Sequence, residues 1–101
     1  MANQMRNEIY YLCDLQYQCA RMATYSNSDI EEYIKFVNSK LNEYFTVEEQ
    51  IRLKLYNFDE NLLLDIANYN LPENISFDGI DKNKLCNFFD EITFEWDIQF
   101  Y

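Results

Sequence analysis

The clearest hydrophobic pattern lies in residues 28–45. Ser28 and Glu31 form a capping box, a signature of a helix start. Apolar residues then recur at i, i+3, i+4 and i+7, with charged residues on the other faces. This spacing predicts an amphipathic helix with one apolar stripe made of Ile30, Tyr33, Ile34, Val37, Leu41, Tyr44 and Phe45.

An earlier segment, residues 3–24, also repeats with helical spacing, but its apolar surface is broader. Tyr10, Tyr11, Leu15 and Tyr17 widen that surface well beyond one stripe. A helix that is apolar over so much of its surface is expected to be central to the fold or to contact a second subunit. The residues with helical spacing are Met5, Ile9, Leu12, Cys13, Cys19, Ala20 and Ala23.

A second capping box, Thr46 with Glu49, predicts a third helix that runs to about Tyr56. Its inward side chains are expected to be Val47, Ile51, Leu55 and Phe58. Residues 51–55 also alternate between apolar and polar, so a strand is an alternative for this stretch. The cap and the good helix formers around it favour the helix.

Two shorter helices follow. Asp59 can cap a fourth helix over residues 62–67, which must end before Pro72 because proline disfavours helix at the preceding residue. Asp78-Gly79 is a turn signal, and Asp81 can begin a fifth helix. The inward residues of that helix are Leu85, Phe88, Phe89 and Ile92.

The last ten residues alternate strictly between apolar and polar. Such alternation among β-branched and aromatic residues predicts a half-buried strand. Its pairing partner would be Ile75–Phe77, Ile51–Leu55 or the same strand of a second subunit. The predicted fold class is therefore α+β: a single domain, residues 1–101, of four or five helices with a C-terminal β-strand. The apolar positions of this strand are Ile92, Phe94, Trp96, Ile98 and Phe100.

Composition excludes most familiar catalytic sites. The chain has 101 residues, no His, one Gly and one Pro, so a Ser-His-Asp triad, a Cys/His zinc site and a glycine-rich phosphate loop are all absent. The three cysteines form no CxxC pair, which favours free thiols in a reducing compartment. With no apolar run long enough for a signal peptide or a membrane span, we expect a cytoplasmic protein that does not contact membranes.

Local clusters of acidic residues do not change that expectation. Residues 78–83 superficially suggest calcium ligands, but their oxygen positions and Gly79 do not match the twelve-residue calcium loop. Adjacent carboxylates, as in Asp59-Glu60 and Asp90-Glu91, point about 100° apart on a helix and imply no acid–base pair. The sequence predicts neither catalysis nor a required metal or cofactor.

Charge is the strongest functional signal. The net charge is −10, and residues 55–101 hold ten acidic and two basic side chains, a net charge of −8. Such a surface disfavours direct binding of nucleic acid or anionic lipid and attracts basic proteins. The candidate partner-binding residues are Asp59, Glu60, Asp65, Glu73, Asp78, Asp81, Asp90, Glu91, Glu95 and Asp97.

On the predicted strand, Glu95 and Asp97 would project from one face about 6.8 Å apart. That is the scale on which phosphates follow one another along a nucleic acid. In whole-chain composition the protein resembles small acidic phage-borne inhibitors of the anti-CRISPR or antirestriction type, which act as nucleic-acid mimics. It is also similar to bacterial immunity proteins that cap a nuclease toxin.

These resemblances imply stoichiometric inhibition, in a bacterial host cell, of a basic nucleic-acid-binding protein or nuclease complex. The alternative is a helical protein-interaction or regulatory assembly module, suggested by the broad apolar face of residues 3–24. That face and the C-terminal strand also suggest a possible homodimer.

Overall fold

Helices make up the whole regular structure of the computed structural model, which describes residues 8–97. No strand or sheet is present in this range, so the α+β prediction is wrong. The elements are α1 (Glu8–Met22), α2 (Asn27–Tyr44), α3 (Val47–Arg52), α4 (Glu60–Ala67), α5 (Lys82–Asp90) and a π-helical turn (Glu91–Glu95).

One continuous core joins α1, α2, α4, α5 and the π-helical turn, and it includes Leu53 at the C-cap of α3. The most extensive packing is between α1 and α4, while α5 and the π-helical turn lie against both α1 and α2. The buried face of α1 holds Tyr11, Leu15, Cys19 and Met22. The ring of Tyr11 stacks on Phe89 of α5, with ring centroids 4.9 Å apart. This arrangement leaves the opposite side of α1 facing solvent.

Three of the four predicted helix starts are confirmed. The Thr46–Glu49 capping box is present, Asp59 accepts a hydrogen bond from the Leu62 amide, and Asp81 accepts one from the Asn83 amide. At α2, Ser26 rather than Ser28 is the cap, and its hydroxyl accepts from the Asp29 amide. These caps satisfy amides that have no partner within their helix.

Residues 51–55 form no strand, and α3 is a helix as favoured, but it ends at Arg52 rather than near Tyr56. It also presents a different face to the core. Val47 and Ile51 are exposed, and Gln50 is buried in their place. The Gln50 amide donates to the carbonyls of Leu41 (3.3 Å) and Phe45 (3.1 Å). A polar side chain is buried here because its amide donates to carbonyls at the C-terminal end of α2.

Residues 75–77 form no strand. The Ser76 amide donates to the Arg52 carbonyl (3.0 Å), and the Arg52 guanidinium donates to the Asp78 carbonyl (3.0 Å). These bonds hold the loop against the end of α3 without a ladder. The predicted turn at Asp78-Gly79 is confirmed, with Gly79 at a φ of +76°, where a glycine is favoured.

The predicted C-terminal strand is replaced by helix as far as residue 97, and residues 98–101 lie outside the described range. Ile92 and Trp96 are four residues apart, a separation that fits both the alternation of a strand and the spacing of a helix. The buried residues in fact continue the stripe of α5, at Phe88, Phe89, Ile92, Thr93 and Trp96. Core packing therefore overrides the strand preference of the aromatic and β-branched residues.

A buried tyrosine fixes this C-terminal conformation. In the π-helical turn the Trp96 amide bonds to the Glu91 carbonyl, and the Ile92 carbonyl accepts from the Tyr33 hydroxyl of α2 (2.8 Å). The Trp96 ring then packs edge-on against Tyr33, with centroids 5.2 Å apart, and also against Phe36. Widened turns of this kind require alternative partners for their carbonyls, and Tyr33 supplies one.

We expect Tyr33→Phe to destabilise the protein by about 1–3 kcal/mol, because it leaves the buried Ile92 carbonyl without this donor. Urea denaturation followed by circular dichroism measures the loss. Tyr17→Phe is the matched control, since Tyr17 is 63% exposed. Equal stability of the two variants would contradict a structural role for the Tyr33 hydroxyl.

Candidate partner-binding surface

Seven of the ten predicted acidic residues are exposed. Asp59 and Glu60 begin α4, Asp65 lies on its outer side, and Glu73 is in the loop that follows. Asp78, Asp81 and Glu95 are also exposed, although Asp59 and Asp81 serve as helix caps. Exposed carboxylates of this kind are accessible to a partner.

Glu91 is instead part of an internal network. It is half-buried, its carboxylate lies 2.8 Å from the Lys40 ammonium of α2, and it accepts a hydrogen bond from the Tyr44 hydroxyl. Burial raises the pKa of Glu91, but the hydrogen bonds from Lys40 and Tyr44 outweigh it and hold that pKa below its ordinary value. The same contact raises the pKa of Tyr44 to about 12. Glu91 therefore contributes to the fold.

Asp97 is neutralised in a similar way. Its carboxylate forms an ion pair with Arg21 at the end of α1, and the hydrogen bond from this pair is the main cause that raises the pKa of Arg21. Glu95 is exposed, whereas Asp97 faces α1. The predicted projection of Glu95 and Asp97 from one face is wrong, because residues two apart on a helix point to nearly opposite sides.

Asp90 is half-buried and accepts a hydrogen bond from the Cys86 thiol.

Two long segments that pack against each other lack basic residues. Residues 8–20 and residues 55–81 contain no Lys or Arg, and they include α1 as far as Ala20 and all of α4. Elsewhere, Arg21 and Lys40 form the ion pairs described above. The side chains of residues 8–20 and 55–81, called the cation-free unit below, therefore contribute only negative charge. Its carboxylates are Glu8, Asp14, Asp59, Glu60, Asp65, Glu73, Asp78 and Asp81.

An apolar groove lies on this same unit, between α1 and the residues that follow α4. It holds about 370 Å³ and is open to solvent. The Gln16 amide donates to the Ala67 carbonyl (3.1 Å), which joins α1 to the end of α4 and gives the Gln16 side chain a partner. The lining residues are Ile9, Leu12, Cys13, Gln16, Tyr69 and Leu71.

Tyr69 forms one lip of the groove in an unfavourable backbone conformation. It follows the C-cap of α4 with a φ of +66°, the left-handed region that favours glycine. The Asn70 amide bonds back to the Asp65 carbonyl (2.8 Å), which closes the helix end. The Tyr69 side chain is 77% exposed and so gains little from packing in the isolated chain.

The thiols and carboxylates offer little chemistry. Burial raises the pKa of Cys19 to about 12, which keeps its thiol protonated and unreactive, whereas Cys13 is exposed in the groove. Among residues 8–97, no cluster of three or more carboxylate or thiol side chains is arranged to hold a metal ion. In the same part of the chain, no helix has the length and apolar character to cross a bilayer.

Comparison with protein-family models, with curated proteins and with solved structures found no match to this chain. The candidate surface is therefore defined by its own charge and shape.

Sequence reasoning predicted the acidic residues but missed the groove. The broad apolar surface of residues 3–24 was the available signal, since Ile9, Cys13 and Tyr17 lie on the side of α1 that faces away from the core. Which residues would form the second wall depended on the packing of α4 against α1. Nothing in the sequence predicts the conformation of Tyr69, because tyrosine is not a residue that favours a left-handed helix end.

We expect Glu91→Gln to lower the melting temperature at pH 7 by roughly 4–8 °C, equivalent to about 1 kcal/mol. The depressed pKa of Glu91 means that its stabilisation is complete above the unfolded value of 4.5 and is lost as pH falls through the folded value. The difference from the parent protein should therefore shrink below about pH 4.5.

Glu95→Gln provides the control for this prediction, because it removes the same charge from an exposed side chain. Melting curves of the two variants between pH 3 and pH 8 measure the difference. A deficit for Glu91→Gln that does not change over this range would contradict an electrostatic role for Glu91.

Proposed function

We propose that this protein is a non-catalytic acidic inhibitor that binds the basic nucleic-acid groove of a nuclease complex and excludes DNA or RNA. The observation that supports this proposal is the cation-free unit of residues 8–20 and 55–81, whose helices α1 and α4 pack together, within a chain of net charge −10. Its carboxylates can occupy the Arg and Lys sites that otherwise hold phosphates. The protein would act stoichiometrically, in the cytoplasm of a bacterial cell.

The location of the charge refines the proposed binding residues. Glu91 and Asp97 already pair with cations of this chain, and Asp59 and Asp81 cap helices. Of the predicted residues, five exposed carboxylates therefore have no internal role: Glu60, Asp65, Glu73 and Asp78 lie on and after α4, and Glu95 lies in the π-helical turn.

The proposal is tested with purified nuclease complexes: CRISPR effectors, restriction enzymes and nuclease toxins, each with its nucleic acid. We expect the protein to block nucleic-acid binding by one of them at a one-to-one ratio in a mobility-shift assay. The variant carrying Glu60→Lys, Asp65→Lys and Glu73→Lys should bind that complex at least about tenfold more weakly. Affinity of the parent protein should also fall with added salt, because exposed charges are screened within about 8 Å at 0.15 M.

The control variant carries Glu31→Lys, Glu32→Lys and Glu48→Lys, all exposed and all outside the cation-free unit. Both triple variants have the same net charge, and each alters one carboxylate in the first turn of a short helix. Equal binding by the two variants would show that overall charge, and not this surface, determines recognition. Unchanged nucleic-acid binding by every complex would contradict inhibition of these classes.

A further inference from the structure

The groove on the cation-free unit is part of a larger exposed apolar patch. Ile9 is 68% exposed, and Tyr10, Tyr17 and Leu71 are exposed beside it on α1 and on the loop after α4. Scattered apolar side chains are normal on a surface, but a contiguous patch of a few hundred Å² marks an interaction site. Here the contiguity is provided by the groove, which places residues of α1 and of the loop on two facing walls.

The shape of the groove suits a helix. On the α1 wall the lining residues Ile9, Leu12, Cys13 and Gln16 repeat at i, i+3, i+4 and i+7, over a length of about 10 Å. A second helix can lay its own ridge of apolar side chains along such a row. A peptide that binds by strand addition would need a strand edge, and residues 8–97 contain none.

The charge around the groove selects a basic helix. The two segments that form the walls contain no Lys or Arg. Glu8 directly precedes the lining residue Ile9, and Glu73 lies two residues after the lining residue Leu71. A helix with Lys or Arg beside its apolar ridge would place opposite charges across the interface. A second copy of this chain would place carboxylates against carboxylates.

Tyr69 provides an independent observation. A left-handed φ costs a non-glycine residue stability, and the exposed Tyr69 ring gains little packing in return within this chain. Exposed aromatic side chains held by strained backbone are features of binding sites, where contact with the partner supplies the missing packing.

We propose that this groove binds an amphipathic helix of the partner protein, with an apolar ridge flanked by Lys and Arg. The inference rests on the proposed function and extends it, because it names the element of the basic partner that is recognised. The apolar ridge fills the groove beside Tyr69, and the flanking cations contact the surrounding carboxylates.

The test uses a synthetic 18-residue peptide with Leu at i, i+3, i+4 and i+7 positions and Lys elsewhere. Two matched peptides replace either every Lys with Glu or every Leu with Ser. Fluorescence anisotropy of labelled peptide should show binding of the Leu/Lys peptide at least about tenfold tighter than either control. If the peptide with Ser in place of Leu binds equally well, the interaction depends on charge alone and the proposal is overturned. Equal binding of the peptide with Glu in place of Lys would also overturn it.

Tyr69→Gly separates binding from folding. It relieves the left-handed strain and should raise the melting temperature by about 3–5 °C, while it weakens the Leu/Lys peptide about tenfold. Lys54→Gly is the control, because Lys54 follows α3 with a φ of +62° and is not part of the groove lining. It should be stabilised in the same way without loss of peptide binding. A Tyr69→Gly protein that binds as the parent does would overturn the role of the groove.

Cys13 reports occupancy directly, because its exposed thiol lines the groove. In a Cys86→Ser background, the Leu/Lys peptide should slow the reaction of Cys13 with a maleimide several-fold. Cys19 is buried, and its raised pKa keeps it unreactive. An unchanged rate at a saturating peptide concentration would place the peptide elsewhere. Light scattering measures the oligomeric state of the parent and of Tyr69→Gly. If only the parent is dimeric, a second copy of the chain occupies the groove, and the proposal is overturned.

The nuclease assay distinguishes this inference from the proposed function. If Tyr69→Gly loses the peptide but still inhibits the nuclease as strongly as the parent, the groove is not used in that complex and only the inference fails. If the Glu60, Asp65 and Glu73 reversals leave inhibition intact while Tyr69→Gly abolishes it, electrostatic mimicry fails and the groove stands.

Discussion

The hydrogen bond from the Tyr33 hydroxyl to the Ile92 carbonyl fixes the conformation on which the rest of the structure depends. It joins the middle of α2 to the π-helical turn and lets Trp96 pack on the face of α2 instead of extending away as a strand. A hydroxyl in this core must have a partner, since burying it without one costs several kcal/mol by water-to-cyclohexane transfer, about 4–8. The bond therefore sets both the helical path of the chain after α5 and its position against α1 and α2.

That path determines which charges remain available. As the chain turns back along α2 and α1, Glu91 meets Lys40 and Asp97 meets Arg21. Two carboxylates of the acidic C-terminal half are thus neutralised by cations of the N-terminal half. The surplus of negative charge is correspondingly concentrated on α4, on the loop after it and on the adjacent part of α1. The negative charge is spread along the sequence of residues 55–101, but the fold concentrates it on one part of the surface.

Local signals in the sequence predicted the helices well, because a capping residue such as Thr46 or Asp59 acts within four residues of itself. The C-terminal strand failed for a reason that is not local. Ile92 and Trp96 satisfy both a period of two and a spacing of four, and packing against distant residues such as Tyr33, about sixty residues away, decides between them. The candidate site divides in the same way: exposed carboxylates could be predicted from composition, whereas the internal pairing of Glu91 and the groove depend on packing between distant helices.

The conformation of Tyr69 links stability to recognition. Glycine would end α4 with less strain, and the exposed Tyr69 ring makes little contact that offsets the cost within this chain. The same residue stands at the edge of an uncharged groove whose walls come from two segments without a single cation. A helix end that is locally unfavourable but presents an aromatic side chain to solvent is explained if that side chain contributes to binding in a complex. The physical case for a partner therefore rests on a helix end that combines a left-handed φ with an exposed aromatic side chain at the edge of the groove.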